Sequence, residues 1–259
     1  MIKYGVKIWS INEYYFTEAV SLYKNNDIDF VELYIVPHRI SESVRTLKKV
    51  KIQIHAPYSG HKFNIFQLNQ EKINFFQEQV IKTADMFNAN NIILHAGVGV
   101  DEQIFQKNIK LIADNRILIE NKPKVGLNSE ICFGYSFDQL FFIKNKCGLE
   151  ICLDFTHAIK SAFSQKINYK IFLDKLIKYL EPSYFHITGT LVKGDKDKHL
   201  NIWEGDADMG WIKNKLNGIS QKKDIHLVFE VPKNKRNLSN DLKNILYFKN
   251  LSIGKVSKV

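Results

Sequence analysis

Short runs of β-branched and apolar residues recur along the chain, and between them lie longer stretches whose apolar residues return every third or fourth position. That alternation is the pattern of repeated βα units wound into a parallel sheet. It predicts strands over 2–9, 30–35, 51–55, 91–95, 116–120, 149–154, 184–187 and 225–230. Helical spacing is clearest over 69–87, where Ile73, Phe76, Val80, Ala84 and Phe87 share a face and Asn69 is placed to cap the first turn. Weaker helical patterns run over 12–24, 41–48, 102–113, 137–144, 169–180, 208–216 and 238–249. Strand plus helix thus repeats about eight times in 259 residues. The expectation is an α/β fold with a single (β/α)₈ TIM barrel, one domain over 1–259 with a C-terminal tail from about 251. An open doubly wound sheet more often carries a glycine-rich phosphate loop after its first strand, and here Ser10-Ile11-Asn12 follows instead.

Composition narrows the class without choosing a function. Hydrophobic residues at 45% and charged residues at 25% fit a globular protein with a substantial interior and exclude global disorder. No apolar run approaches the ~18 residues of a membrane span, so no membrane contact is expected. Cys132, Cys147 and Cys152 are odd in number and lack CxxC spacing. They indicate neither a disulfide framework nor a thiolate zinc site, and a reducing, cytoplasmic setting is expected. The first residues, Ile2 to Trp9, read as a strand rather than an export signal. The formal net charge of +10 makes a polyanionic partner plausible, although nearly all of the positive charge is lysine in a chain rich in Asn and Ile.

Chemistry-bearing residues gather where the strands end. In a barrel the carboxyl ends of the strands form the active face, so ligand-type residues there point to chemistry rather than packing. His55 ends the third predicted strand, His95 the fourth and Glu120 the fifth; the sixth brings Asp154 and, three residues on, His157. The seventh brings His186, its following loop Asp197 and His199, and the eighth Glu230. Singly, each has a structural explanation as a helix cap or a hydrogen-bonded histidine. Five of the eight histidines and four carboxylates at one rim are the signature of a metal site. Imidazole with carboxylate and no thiolate suits Zn²⁺, with Mn²⁺ or Fe²⁺ as alternatives, better than Mg²⁺. His226, inside the eighth strand, is expected to be structural, His38 and His61 to be loop residues facing water, and Cys152 to be a small core residue.

The segments His55-Ala56-Pro57-Tyr58, Leu94-His95-Ala96-Gly97, Ile119-Glu120-Asn121, Leu153-Asp154-Phe155-Thr156-His157-Ala158, His186, and Asp197-Lys198-His199 with Glu204-Gly205-Asp206 resemble the endonuclease IV family (AP endonuclease family 2) within the xylose isomerase-like barrels. The resemblance covers about 55–230. It implies a zinc-dependent phosphodiesterase that cleaves double-stranded DNA 5′ to abasic sites in base excision repair, acting as a monomer. It further implies three zinc ions: one on His55, His95 and Glu120, a second on Glu120, Asp154, His186 and Glu230, and a third on His157, Asp197 and His199. Glu120 and Glu230 are the implied catalytic residues. Tyr58 and Arg39 are the implied DNA contacts, Arg39 standing in a loop, Tyr34 to Arg39, that departs from the family's usual sequence. Metal-dependent sugar or sugar phosphate isomerases and epimerases of the same barrel also use a set like Glu120, Asp154, His186 and Glu230. That alternative stays open, and the loop over 122–133 differs from the family's usual sequence enough to reshape the pocket for another substrate, with a damaged-base site, a nucleotide or a sugar phosphate all fitting the basic rim.

Overall fold

The computed structural model describes residues 1–252. Eight parallel strands close into a barrel in chain order: β1 (Ile2–Trp9), β2 (Phe30–Tyr34), β3 (Ile52–His55), β4 (Ile92–His95), β5 (Ile117–Glu120), β6 (Glu150–Asp154), β7 (Tyr184–Ile187) and β8 (Ile225–Phe229), with β1 hydrogen-bonded to both β2 and β8. The expected α/β TIM barrel is therefore the fold. The basic end at Lys255 and Lys258, with most of the expected tail, lies outside the described residues.

Helices pack around the barrel: α1 (Phe16–Lys24), α2 (Gln70–Phe75), α3 (Lys82–Met86), α4 (Glu102–Ile109), α5 (Phe137–Cys147), α6 (Phe155–Ser164), α7 (Tyr169–Leu180), α8 (Met209–Ser220) and α9 (Ser239–Asn250). Side-chain caps start most of them, since the first N–H groups of a helix have no partner within it. Asn69 caps α2 as expected, Asp101 caps α4, Ser136 caps α5, Asn168 caps α7 and Asp208 caps α8. Helix α5 runs three residues beyond the expected 144 and stops at Gly148, whose φ of 70° suits glycine.

Three elements differ from expectation. The segment expected as a helix over 41–48 is a 3₁₀ helix, Glu42–Lys49, whose buried residues Val44 and Leu47 stand three apart, the spacing that a three-residue turn places on one face. The helix expected over 69–87 is interrupted between α2 and α3 by a π turn, Phe76–Ile81. Helix α6 was not expected at all; eight of its ten residues are buried, so no exposed polar face marks it.

Strand alternation sorts the barrel interior into layers, because every second side chain points inward. The lower layer is apolar: Phe30, Ile93, Leu118, Cys152, Tyr184 and Val228 pack together. Gly5 opens space for this layer, since a Cβ there would overlap the Phe30 ring. Two residues further along each strand comes a polar upper layer of Lys7, Glu32, His55, His95, Glu120, Asp154, His186 and Glu230. Outward-pointing residues such as Val31, Leu33, Ile54, Ile119 and Leu153 form the larger core against the helices.

Candidate metal centre

Register brings the upper-layer residues side by side. His95 is level with Glu120 across β4–β5, Asp154 with His186 across β6–β7, and Lys7 with Glu32 across β1–β2. Glu120 stands at the centre. Its Oε2 is 3.0 Å from both His55 Nε2 and His95 Nε2, and its Oε1 is 3.0 Å from His157 Nδ1. His186 Nδ1 is 2.8 Å from Glu230 Oε1 and 3.7 Å from Glu120 Oε2. From the loop after β7, Asp197 Oδ2 reaches His157 Nε2 at 3.4 Å and His199 Nε2 at 3.0 Å. All nine residues expected to form the centre thus meet at one mouth of the barrel.

Neighbouring groups fix these side chains. Ala56 O is 2.7 Å from His55 Nδ1, which donates to it and leaves Nε2 turned to Glu120. Asn121 accepts from the Asp154 N–H at 2.6 Å and donates to the Asp154 carbonyl at 3.0 Å, and its own carbonyl meets His157 Nδ1 at 2.8 Å. Asp154 Oδ1 accepts from the His157 N–H at 2.7 Å, so this carboxylate also caps α6. Glu204-Gly205-Asp206 braces the long loop rather than entering the centre: Glu204 accepts from Asn201, Asp206 from the Val192 N–H, and Gly205 lies so close to the Thr190 backbone that a Cβ would clash.

Electrostatics here pits burial against proximity. Burial would raise Glu120, but His95 and His186 hold it well below the usual carboxylate range. Burial also opposes ionisation of Glu230, and Lys7 and His186 bring it well down. For Asp154 burial wins, supported by the nearby carboxylates, and its pKa rises to about 6. Burial holds His95 well below its ordinary value, favouring the neutral ring. Burial also works against a charged His157 or His199, yet Asp154 lifts His157 to about 10 and Asp197 lifts His199 to about 9. Protons thus take the place of cations among these carboxylates, and metal binding at such a site displaces them.

A metal fits this donor set by a further observation. Glu120 Oε1, His186 Nδ1 and Asp197 Oδ1 are buried without a hydrogen-bond partner, a costly state for polar atoms that a cation relieves. The ligand atoms of His55, His95 and Glu120 lie within 4.8 Å of one another, as do those of Glu120, Asp154, His186 and Glu230. These match the first two expected sets. His157, Asp197 and His199 join through the shared Asp197 oxygen, with His199 43% exposed at the rim.

Sequence reading missed two members. Lys7 Nζ is 2.5 Å from Glu230 Oε1 and 3.4 Å from Glu32 Oε1, and Glu32 is fully buried. Burial opposes the Lys7 charge, but Glu230 and Glu32 more than restore it. The two additions cancel in charge. Above the centre opens a cavity of about 580 Å³ whose wall includes Trp9, Tyr14, Tyr34, Tyr58 and Leu127. Tyr58, an expected substrate contact, lines it. Arg39 stands exposed on the loop after β2, outside that lining. His61 does not simply face water: its Nδ1 is 2.5 Å from Tyr34 Oη and its ring meets Trp9 edge-on. His226 is structural, stacked on Tyr184 at the closed end of the barrel.

The sequence pattern of the xylose isomerase-like TIM barrel family matches residues 18–248. The chain belongs to that family. Among solved structures, this xylose isomerase-like barrel is similar to endonuclease IV from Thermus thermophilus, with 18% identity, 95% of this chain and 97% of that one covered, and a TM-score of 0.72. It is similar to AP endonuclease, family 2 from Brucella melitensis, with 14% identity, 96% and 98% covered, and a TM-score of 0.67. It is also similar to a xylose isomerase domain protein from Alicyclobacillus acidocaldarius, with 12% identity, 96% and 100% covered, and a TM-score of 0.61. No curated protein matches the sequence. At such identities the likeness establishes the barrel, and the chemistry rests on the side chains at its mouth.

Proposed function

We propose that the chain is an endonuclease IV-like, metal-dependent phosphodiesterase that cleaves duplex DNA on the 5′ side of abasic sites. The observation that carries this reading is the meeting of Asp197 and His199 with His157 beside the Glu120 cluster. Sugar isomerisation needs one or two metals, and these three residues supply ligands for a third. In this reading His55, His95 and Glu120 hold one ion, Glu120, Asp154, His186 and Glu230 a second, and His157, Asp197 and His199 the third, with zinc the expected metal. Bound ions would supply Lewis-acid stabilisation of a phosphoryl group and an acidified water.

The charge count suits a phosphodiester. Three divalent ions carry +6 against −4 from Glu120, Asp154, Asp197 and Glu230, and Lys7 offsets Glu32. The residual +2 matches one phosphodiester and one hydroxide. Glu120 and Glu230 are the proposed catalytic carboxylates, set in the polar layer at the cavity floor. Tyr58 at the cavity wall and Arg39 on the loop after β2 are the proposed contacts to DNA.

One observation favours a second reading. A cavity of about 580 Å³ with Lys7 and Glu230 in its lining is the size of a small-molecule site. It suits a metal-dependent sugar or sugar phosphate isomerase or epimerase in which Glu120 and Glu230 move a proton. A duplex carrying one abasic-site analogue, incubated with zinc-loaded protein with and without chelator, separates the two. Chelator-sensitive nicking leaving a 3′-hydroxyl is expected, with DNA affinity falling steeply as salt rises. Intact duplex at enzyme excess in a three-metal sample would rule the repair reading out.

A further inference from the structure

We infer that Glu32 is a positioning residue of the metal centre, orienting His186 so that its Nδ1 lone pair faces Glu120 and Glu230. The inference rests on the metal-site reading above. Glu32 Oε2 is 2.9 Å from His186 Nε2, and both side chains are fully buried. Imidazole has one N–H in its neutral form, and a carboxylate at that distance accepts it. Both ring nitrogens thus face carboxylates, and when a cation takes Nδ1 the one remaining N–H is on Nε2, donating to Glu32. That Nδ1 is buried and has no hydrogen-bond partner, 2.8 Å from Glu230 Oε1. It is a donor atom prepared for a cation. A carboxylate behind a ligating imidazole fixes the ring and raises its basicity.

Glu32 is itself held from three directions. Tyr184 Oη donates to the same Oε2 at 2.8 Å, and Lys7 Nζ faces Oε1 at 3.4 Å. The third hold is the strand, because Glu32 is level with Lys7 in the β1–β2 register. Glu32, His55, His186 and Glu230 also lie close enough to form a ligand set of their own. The surroundings of Glu32 argue against that use: Oε2 already receives Tyr184 and His186, and although Oε1 has no hydrogen-bond partner, the Lys7 ammonium 3.4 Å away stands between Glu32 and Glu230, where it would repel a second cation. Lys7 thus supplies a fixed cation on this side of the centre, and Glu32 acts through His186.

The test compares wild type with Glu32→Ala and Glu32→Gln, the latter keeping volume and one acceptor so that the measurement survives if the alanine variant does not fold. Ions per chain at saturating zinc are counted, and their release is followed against a competing chelator. Unchanged ion number with one ion released about 10–100-fold more readily is expected, less so for the glutamine variant. In cobalt(II)-loaded protein, the hyperfine-shifted Nε2–H signal of His186 should be long-lived in wild type and lost to water exchange in the variants. Unchanged release together with a persistent signal overturns the inference. Loss of a whole ion at saturation also overturns it, by making Glu32 a ligand. Wild-type protein that holds no ion removes the metal reading itself, and with it this role.

Discussion

At the scale of single residues, His226 shows how a histidine can be read apart from the chemistry. It lies on β8 with its ring 5.3 Å from that of Tyr184 and 5.0 Å from that of Phe30, at the closed end of the barrel. Burial, with Lys3 nearby, depresses its pKa from 6.5 to about 4. Between those values the unfolded chain binds the proton and the folded chain does not, so stability falls as pH drops through that window. At roughly 1.4 kcal/mol per unit the loss by pH 4 approaches about 3 kcal/mol. Denaturant unfolding of wild type and His226→Gln at pH 7 and pH 4 should show wild type losing about 2–3 kcal/mol more than the variant; equal losses would show that the ring titrates freely when folded. The structural reading of His226 was legible because it falls inside a strand. Lys7 and Glu32 were not, because attention to strand ends passes over residues one inward step below, and a lone Lys or Glu in a strand reads as an exposed face. Only the two-residue alternation from Phe30 to Glu32, aligned with Lys7 on the neighbouring strand, places Glu32 in the inward-facing polar layer.

At the scale of elements, strands are legible to within a residue or so because each is a short run dominated by β-branched, aromatic and other apolar residues, and the closed topology follows from their number. Local geometry is less so. The segment between α2 and α3 has apolar residues at helical spacing, which an α-helix and a π turn share, so the sequence alone does not register the widened turn at Phe76–Ile81. That turn carries Gln79, whose Oε1 accepts from the His38 N–H at 2.9 Å and whose Nε2 is 3.1 Å from His38 Nδ1. His38 has φ of 56°, an uncommon value for a residue with a side chain. The helix layer therefore holds the loop after β2, the loop that bears Arg39. Removing this tie costs about 1 kcal/mol, roughly a factor of five in local opening. Gln79→Ala should lower the melting temperature of the barrel by no more than about 2–4 °C while amide exchange at His38 speeds up about fivefold. Exchange unchanged at that amide would mean that the loop keeps its shape without the helix.

At the scale of the whole molecule, the barrel closes one end with an apolar layer and fills the other with charge. Glu32, Glu120 and Asp154 are buried, Asp197 and Glu230 nearly so, and Lys7 is the single lysine among them. Five carboxylates against one ammonium in a low-dielectric space repel one another unless protons or metal ions intervene. The barrel tolerates this layer because each carboxylate meets an imidazole or an ammonium, and because strands from all around the ring contribute. Cation loading therefore acts on the folding of the entire barrel rather than on one loop. Ligand at about a thousand times its dissociation constant stabilises by about 4 kcal/mol per site, and a chain of this size gains roughly 2–4 °C per kcal/mol. Zinc-loaded protein should thus melt at least about 10 °C above protein stripped with chelator, in one transition observed alike by far-UV circular dichroism and by tryptophan fluorescence from Trp9 at the cavity. Stripping should also change the sign of the acid response at this carboxyl: with ions absent, folded Asp154 takes up a proton near pH 6, above the ordinary carboxylate value, so folding gains from acidification in that range, whereas acid displaces bound cations and costs the loaded protein stability. Equal melting temperatures for loaded and stripped samples of verified metal content would mean that the charged mouth is stabilised by its own protons and the lysine, and that the cluster does not depend on metal for its arrangement.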